Sequence, residues 1–267
     1  KLDKKKGKLR HIDNYRILKE SFRKLSNCYD IVHIHNYHAF DLCIELLAAK
    51  KSYKNVIGHS HSTYADAHIL MHKCFRILLS TINVKRLACS KEAGEWMYRK
   101  GDFEVVSNGI DIEKFIYSSS IRQKIRKELK LEDAFVIGHV GRFEKVKNHQ
   151  LIIDTFAKYI TINPKAVLML VGRGSLYSKI VNYVEEKKLN KNVLFMGMRE
   201  DVNELYQCMD VFFFPSVFEG LGIVAIEAQS ADLVCLLSDA IPHEVDITDK
   251  IVRCGVDKPI EGCLEKL

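Results

Sequence analysis

Apolar positions along this chain follow two alternating rhythms. Short continuous runs read as strands buried on both faces, and runs repeating every three or four residues read as helices with one apolar stripe. Tyr15, Leu18, Phe22 and Leu25 set a helix over 14–25, and the run YDIVHIH sets a strand over 29–35. The same alternation predicts a helix over 39–49, a strand over 56–59, a helix over 71–82, a strand over 86–90, a helix over 91–100 and a strand over 103–106. Ser107-Asn108-Gly109-Ile110-Asp111 then reads as a turn by its Asn-Gly chemistry. A charged stretch over 112–133, with a helical pattern in 121–131, reads as a crossover between domains. The alternation then restarts, with strands over 135–141, 166–171, 193–196, 211–214 and 234–238. Helices over 149–162, 176–189, 202–209 and 221–231 separate them. Strands alternating with helices predict parallel sheets wrapped on both faces, hence an α/β chain of two doubly wound domains, 1–118 and 119–267.

Composition sharpens this picture in three ways. With 267 residues, 47% of them hydrophobic, the chain can bury a full core. No apolar run reaches the length of a membrane span, and the basic segment 1–8, which reads as mobile or as an edge, lacks the apolar middle of a signal peptide. The eight cysteines form no CxxC pair, and Cys43, Cys89 and Cys235 fall inside apolar patterns, which fits buried thiols in a reducing cytosol. A cluster of His11, His33, His35, His38, His59 and His61 includes HxH spacing able to hold a metal, but it lacks the cysteine or carboxylate partners of a closed site, so no metal is expected. Charge divides unevenly: residues 1–118 carry 21 Lys and Arg against 13 Asp and Glu, or +8, and residues 119–267 carry 20 against 21, or −1. A basic first half suits an anionic lipid surface or a phosphorylated acceptor. Nucleic acid ranks last, because no basic segment has interleaved aromatics.

The chemistry gathers where strands 135–141 and 211–214 end. Phe214-Pro215-Ser216-Val217-Phe218-Glu219-Gly220-Leu221-Gly222 leaves a strand, turns through an acidic glycine corner, and enters a helix that carries Glu227. Glycine amides at a helix start approach a phosphate or a sugar oxygen closely. Carboxylates there are good acceptors for paired hydroxyls and poor neighbours for a bare phosphate, so Glu219 and Glu227 suggest a ligand with both hydroxyl-rich and phosphate parts, such as a nucleotide sugar. At the other strand end, Gly141-Arg142 and Lys147-Asn148 place a planar guanidinium and a mobile ammonium near a helix start, a pair suited to a diphosphate. Neither this segment nor Gly172-Arg173-Gly174 matches a Walker loop or GxGxxG, which argues against an oxidoreductase.

In combination, Glu219-Gly220-Leu221-Gly222 with Glu227, Gly141-Arg142 with Lys147-Asn148, and Asn108-Gly109-Ile110-Asp111 resemble the retaining glycosyltransferases of family 4. YDIVHIHNYH and DAIPHEVD are similar to the bacterial capsule and exopolysaccharide branch of that family. The resemblance implies the GT-B architecture, two Rossmann-like domains facing a cleft. Against that pattern the chain lacks the opening strand and glycine-rich loop and the closing helices, so the first domain is expected to be incomplete. The resemblance further implies that Arg142 and Lys147 hold the donor diphosphate and that Glu227 accepts from ribose hydroxyls. Glu219 would face the donor sugar, with the amides of Gly220, Leu221 and Gly222 on sugar and phosphate. Gly172 and Gly197 would border the base, Asn108 and Gly109 would line the cleft, and His61, rather than His59, would lie near the transferred sugar. The implied activity is metal-independent transfer of a hexose or N-acetylhexosamine from a nucleotide sugar, most simply a UDP-sugar, to a glycan or lipid-linked acceptor. The protein would need no cofactor and would be cytoplasmic, peripheral at the inner face of the membrane. A nucleotide-sugar epimerase and a non-catalytic nucleotide-sugar-binding subunit stand beside this reading.

Overall fold

The computed structural model describes residues 10–63 and 68–255, with side chains from residue 13 onward. The basic segment 1–8, the ring of His11, and Cys263 lie outside the described residues. The chain divides into two compact units, 1–108 and 109–267.

In the first unit, α1 (Arg10–Leu25) precedes β1 (Ile31–Asn36), α2 (Ala39–Ala49), β2 (Asn55–Ser60), α3 (Ile69–Thr81), β3 (Lys85–Ala88), α4 (Lys91–Met97) and β4 (Glu104–Val105). The strands pair in parallel in the order β1-β2-β3-β4, so the described part of this sheet winds in one direction. Its core joins Ile34, Leu42, Leu46, Val56, Leu79 and Met97. Helix α4 stops three residues short of the expected 100. Tyr98 turns extended there, and its hydroxyl donates to the Gly58 carbonyl at 2.8 Å in the adjoining strand. Gly94 inside that helix is dictated by packing, since a Cβ on it would stand 2.0 Å from the Phe103 ring. Arg86 closes the edge by donating to Asp102 and to the carbonyls of Leu79, Ser80 and Ile82 at the end of α3.

The second unit runs α5 (Ser119–Glu128), β5 (Phe135–Val140), α6 (His149–Ile162), β6 (Ala166–Val171), α7 (Tyr177–Glu186), β7 (Val193–Gly197), α8 (Val202–Cys208), β8 (Val211–Phe214), α9 (Ile223–Ser230), β9 (Val234–Ser238) and β10 (Ile251–Cys254). Its six parallel strands lie in the order β10-β9-β8-β5-β6-β7. The winding reverses between β5 and β8, which pair through Ile137 with Val211 and Gly138 with Phe212. Gly138 permits that approach, because a Cβ there would lie 2.0 Å from the Met209 sulfur. The pattern did not predict β10, whose four residues sit among polar neighbours and gain order by pairing with β9.

The boundary between units falls ten residues before the expected 118. Residues 112–118 lie on α8: Gln207 donates to the Phe115 carbonyl at 3.0 Å and accepts from the Ser118 amide at 2.8 Å, and Asn203 donates to Lys114. Arg122 and Arg126 of α5 both reach Asp210 at the head of β8. The charged stretch is therefore part of the second unit, held by side chains whose partners lie some 90 residues away in sequence.

Candidate functional site

In an open parallel sheet, ligands sit beyond the carboxyl ends of the strands where the winding reverses. Here that place is the pair of loops leaving β5 and β8. The Val217 amide donates to the Val146 carbonyl at 2.9 Å and ties the two loops together. Lys147 Nζ meets Glu219 Oε1 at 2.5 Å and lies 4.7 Å from the centre of the Phe214 ring. Both side chains of this pair are only about 15% exposed, so the charges face each other in a poorly solvated corner. Gly222 caps α9 with φ +88°, a left-handed conformation that favours glycine. Leu221 and Gly222 are buried, which leaves the half-buried Glu219 and Gly220 to form the rim. Arg142 is exposed on the same β5 loop.

Glu227 lies on α9, half-buried, and its Oε2 accepts from the Tyr206 hydroxyl at 2.9 Å. Burial raises the Glu227 carboxyl above its ordinary value, and the Tyr206 hydrogen bond partly opposes the rise. The same burial, with the neighbouring carboxylate, drives the Tyr206 phenol well above its usual range. Sequence reasoning missed Tyr206, since a tyrosine in a helical pattern carries no mark of a partner 21 residues on.

Gly172 and Gly197 sit side by side at the ends of β6 and β7, where the Gly172 amide donates to the Gly197 carbonyl at 2.8 Å. Gly172 has φ +135°, and a Cβ on it would stand 2.1 Å from the Gly141 carbonyl oxygen. The β6 end is thus pressed against the β5 loop that carries Arg142. The loops also exchange hydrogen bonds: Phe143 N donates to the Arg173 carbonyl, and the Ser175 hydroxyl donates to Glu144. Beneath the loop, His149 stacks on Phe143 with ring centres 4.1 Å apart.

The second unit therefore gathers Lys147, Glu219, Gly220, Leu221 and Gly222, with Glu227 the fifth residue of the helix that Gly222 starts. Asn108 and Gly109 flank the division between units, the first half-buried and the second exposed.

In the first unit, His61 follows β2 directly and is half-buried; its Nε2 lies 2.7 Å from His35 Nδ1. Burial, then His35 and His33, lower its pKa. His59 is buried, its Nδ1 stands 3.1 Å from His33 Nε2, and burial above all lowers its pKa to about 4. Both rings are neutral at pH 7 and able to donate from one nitrogen while accepting at the other. His38 is used differently: it caps α2 by accepting from the Phe40 amide. No cysteine or carboxylate joins the histidine group among the described residues, but ligand atoms of His33, His35 and His59 lie within 4.8 Å of one another. Sequence spacing shows two HxH pairs, but it cannot show that they share one face of one sheet.

Cys43, Cys89 and Cys235 are buried as the apolar pattern predicts, whereas Cys28 and Cys74 are exposed. No helix among the described residues is long and apolar enough to cross a membrane.

Residues 120–253, half of the chain, match the family model described as glycosyl transferases group 1. The chain belongs to that family. Residues 2–114 match a second model, glycosyltransferase family 4, so the two matches divide much as the two units do. The chain is 31% identical to the putative glycosyltransferase EpsF of Bacillus subtilis (strain 168), over 88% of this chain and 64% of that protein. It is 33% identical to the capsular polysaccharide biosynthesis glycosyltransferase CapM of Staphylococcus aureus, over 60% of this chain and 43% of that one. The chain thus spans less than two thirds of either relative. Among solved structures, Anabaena Alr3699/HepE in complex with UDP and glucose superposes with a TM-score of 0.82 at 19% identity, covering 94% of this chain and 70% of that one. The fold of this group 1 glycosyltransferase chain is accordingly GT-B, built from two parallel sheets of Rossmann type.

Proposed function

We propose that this chain carries the donor site and part of the acceptor side of a retaining glycosyltransferase of capsule or exopolysaccharide synthesis. It would transfer a hexose or N-acetylhexosamine from a nucleotide sugar, a UDP-sugar, to a glycan or lipid-linked acceptor. The observation that carries the reading is the Lys147–Glu219 pair at the switch point, beside the glycine that starts α9. CapM's role in capsular polysaccharide and the UDP held by HepE support the substrate class.

Sugar transfer from a nucleotide diphosphate places negative charge on the leaving diphosphate and positive charge at the anomeric carbon. Lys147, Arg142 and the amides at the start of α9 meet the first, a preorganised electrostatic effect worth several kcal/mol that needs no metal. Glu219 then turns from Lys147 to the hydroxyls of the donor sugar, and the free oxygen of Glu227 accepts from the ribose. Gly172 and Gly197 form a side-chain-free wall for the base. Neutral His61 donates to a hydroxyl of the transferred sugar, and the acceptor oxygen attacks from the face the diphosphate leaves, its bond to the anomeric carbon replacing the one to phosphate and its proton passing to the departing phosphate oxygen, which retains configuration. The protein works in the cytoplasm, with the basic first half against the anionic inner face of the membrane.

A thermal-shift screen of this 267-residue chain with UDP-, GDP- and ADP-sugars tests the donor class. Ligand at a hundred times its dissociation constant stabilises by about 2.7 kcal/mol, enough to move the midpoint by several degrees. UDP-sugars should give that shift equally with and without EDTA. No shift from any UDP-sugar, or a shift abolished by EDTA, refutes the UDP or the metal-free part respectively.

A further inference from the structure

Three members of the two HxH pairs at β1 and β2, His33, His35 and His59, have no part in the donor reading. Alternation along each strand puts His33, His35, His59 and His61 on one face, and the parallel register sets His35 opposite His59. Their rings form a four-membered array. Centres lie 4.2 Å apart for His33 and His35, 5.2 Å for His33 and His59, 4.9 Å for His35 and His61, and 4.1 Å for His59 and His61. Across the strands, nitrogens face nitrogens at 3.1 Å and 2.7 Å.

We propose that this array binds one divalent transition-metal ion of the zinc, nickel and cobalt class through His33, His35 and His59, with water as the fourth ligand. A tetrahedral ion with metal–nitrogen bonds of about 2.0–2.1 Å separates its ligand nitrogens by about 3.3 Å; His33 and His59 already stand at 3.1 Å, and the three ligand atoms lie within 4.8 Å of one another, so rotation of the exposed His35 ring has to close the set. The ligand set is all imidazole, which favours these metals over magnesium or calcium. His59 sits at the floor, 4% exposed, with its Nδ1 3.1 Å from His33 Nε2, so Nδ1 is the nitrogen turned toward the other imidazoles. His33 and His35 are exposed and give the ion its way in. The nearby His72 shows what a structural histidine does instead, with one nitrogen accepting from the Ala39 amide and the other bonded to the Trp96 carbonyl. The three ligands belong to the first unit and none of them is assigned to the donor, so the proposal does not rest on the Lys147 and Glu219 corner, although His61, which the donor reading uses, packs against His35 and His59.

The test is titration of the metal-stripped 267-residue chain with Co²⁺ and Zn²⁺, followed by visible absorption and calorimetry. One ion per chain is expected. Its cobalt spectrum should show d–d bands without thiolate-to-metal charge transfer. His33→Ala and His35→Ala, both at exposed positions, should each weaken zinc at least tenfold, whereas His243→Ala in the second unit should leave it unchanged. Absence of stoichiometric binding by the parent chain overturns the proposal. So does a thiolate charge-transfer band, which would place the ion on cysteines, or an affinity unaltered in both first-unit variants.

Discussion

Replacing Glu219 by Gln separates the two jobs assigned to the corner. In the free protein the carboxylate holds Lys147 Nζ at 2.5 Å, with both side chains about 15% exposed. At an effective dielectric of about 20, the Coulomb attraction at that distance is on the order of 7 kcal/mol, an upper bound. The net value of a charge-assisted hydrogen bond is nearer 1.5–3 kcal/mol. A diphosphate must take Lys147 from Glu219 or share it, and must also tolerate the carboxylate nearby. Glu219→Gln keeps the shape and removes both costs, so UDP should bind more tightly, by about tenfold for each 1.4 kcal/mol released. A UDP-sugar should gain less than UDP does, because the amide is a weaker acceptor for the sugar hydroxyls. Lys147→Ala has the opposite sign. It removes the cation from the diphosphate and breaks a pair whose side chains are both about 15% exposed, which should lower stability by about 1.5–3 kcal/mol. Calorimetry with UDP and with a UDP-sugar, alongside thermal melts, reads all four effects. If UDP binds Glu219→Gln tenfold more weakly than the parent chain, the carboxylate is part of the diphosphate site and the competition argument fails. Unchanged UDP affinity in Lys147→Ala would remove that residue from the site.

Tyr206→Phe deletes the hydroxyl that opposes the raised Glu227 pKa. The loss of UDP affinity on acidification, as Glu227 protonates and ceases to accept from ribose, should therefore begin at a higher pH in the variant. Coincident pH profiles by calorimetry would refute the role of Glu227. His149 is buried with both ring nitrogens unpartnered among the described residues, and burial lowers its pKa from 6.5 to about 4. Its neutral form is the folded one, so stability is full above pH 6.5 and falls as pH drops toward 4, by about 2 kcal/mol at pH 5. His149→Phe, which keeps the stack on Phe143, should lose about that much less between pH 7 and 5 in urea unfolding, and an identical loss would contradict the assignment.

Most of the fold was legible because the strands of the second unit are short apolar runs between helices of clear period, and 149–162, 166–171, 211–214 and 234–238 coincide with their predicted limits. Errors fall where a distant contact decides a local outcome. Helix α4 ends early for the sake of one hydroxyl on Gly58, β10 exists only through its pairing with β9, and the 109–118 segment follows Gln207 rather than its own charge pattern. The same division governs the sites. Lys147, Glu219 and Gly222 were readable because each sits beside a strand end or a helix start, and local sequence marks such places. Tyr206 and the facing of the two HxH pairs were not, because they depend on strand register and on helix packing. A local motif can thus propose which groups a site contains. Only the order of strands brings groups 72 residues apart, such as Lys147 and Glu219, to one hydrogen bond. The reversal of winding between β5 and β8 produces that meeting, since it sets the ends of β5 and β8 next to each other with no strand between them. Any change that altered this strand order would part Lys147 from Glu219 while leaving every motif in the sequence intact.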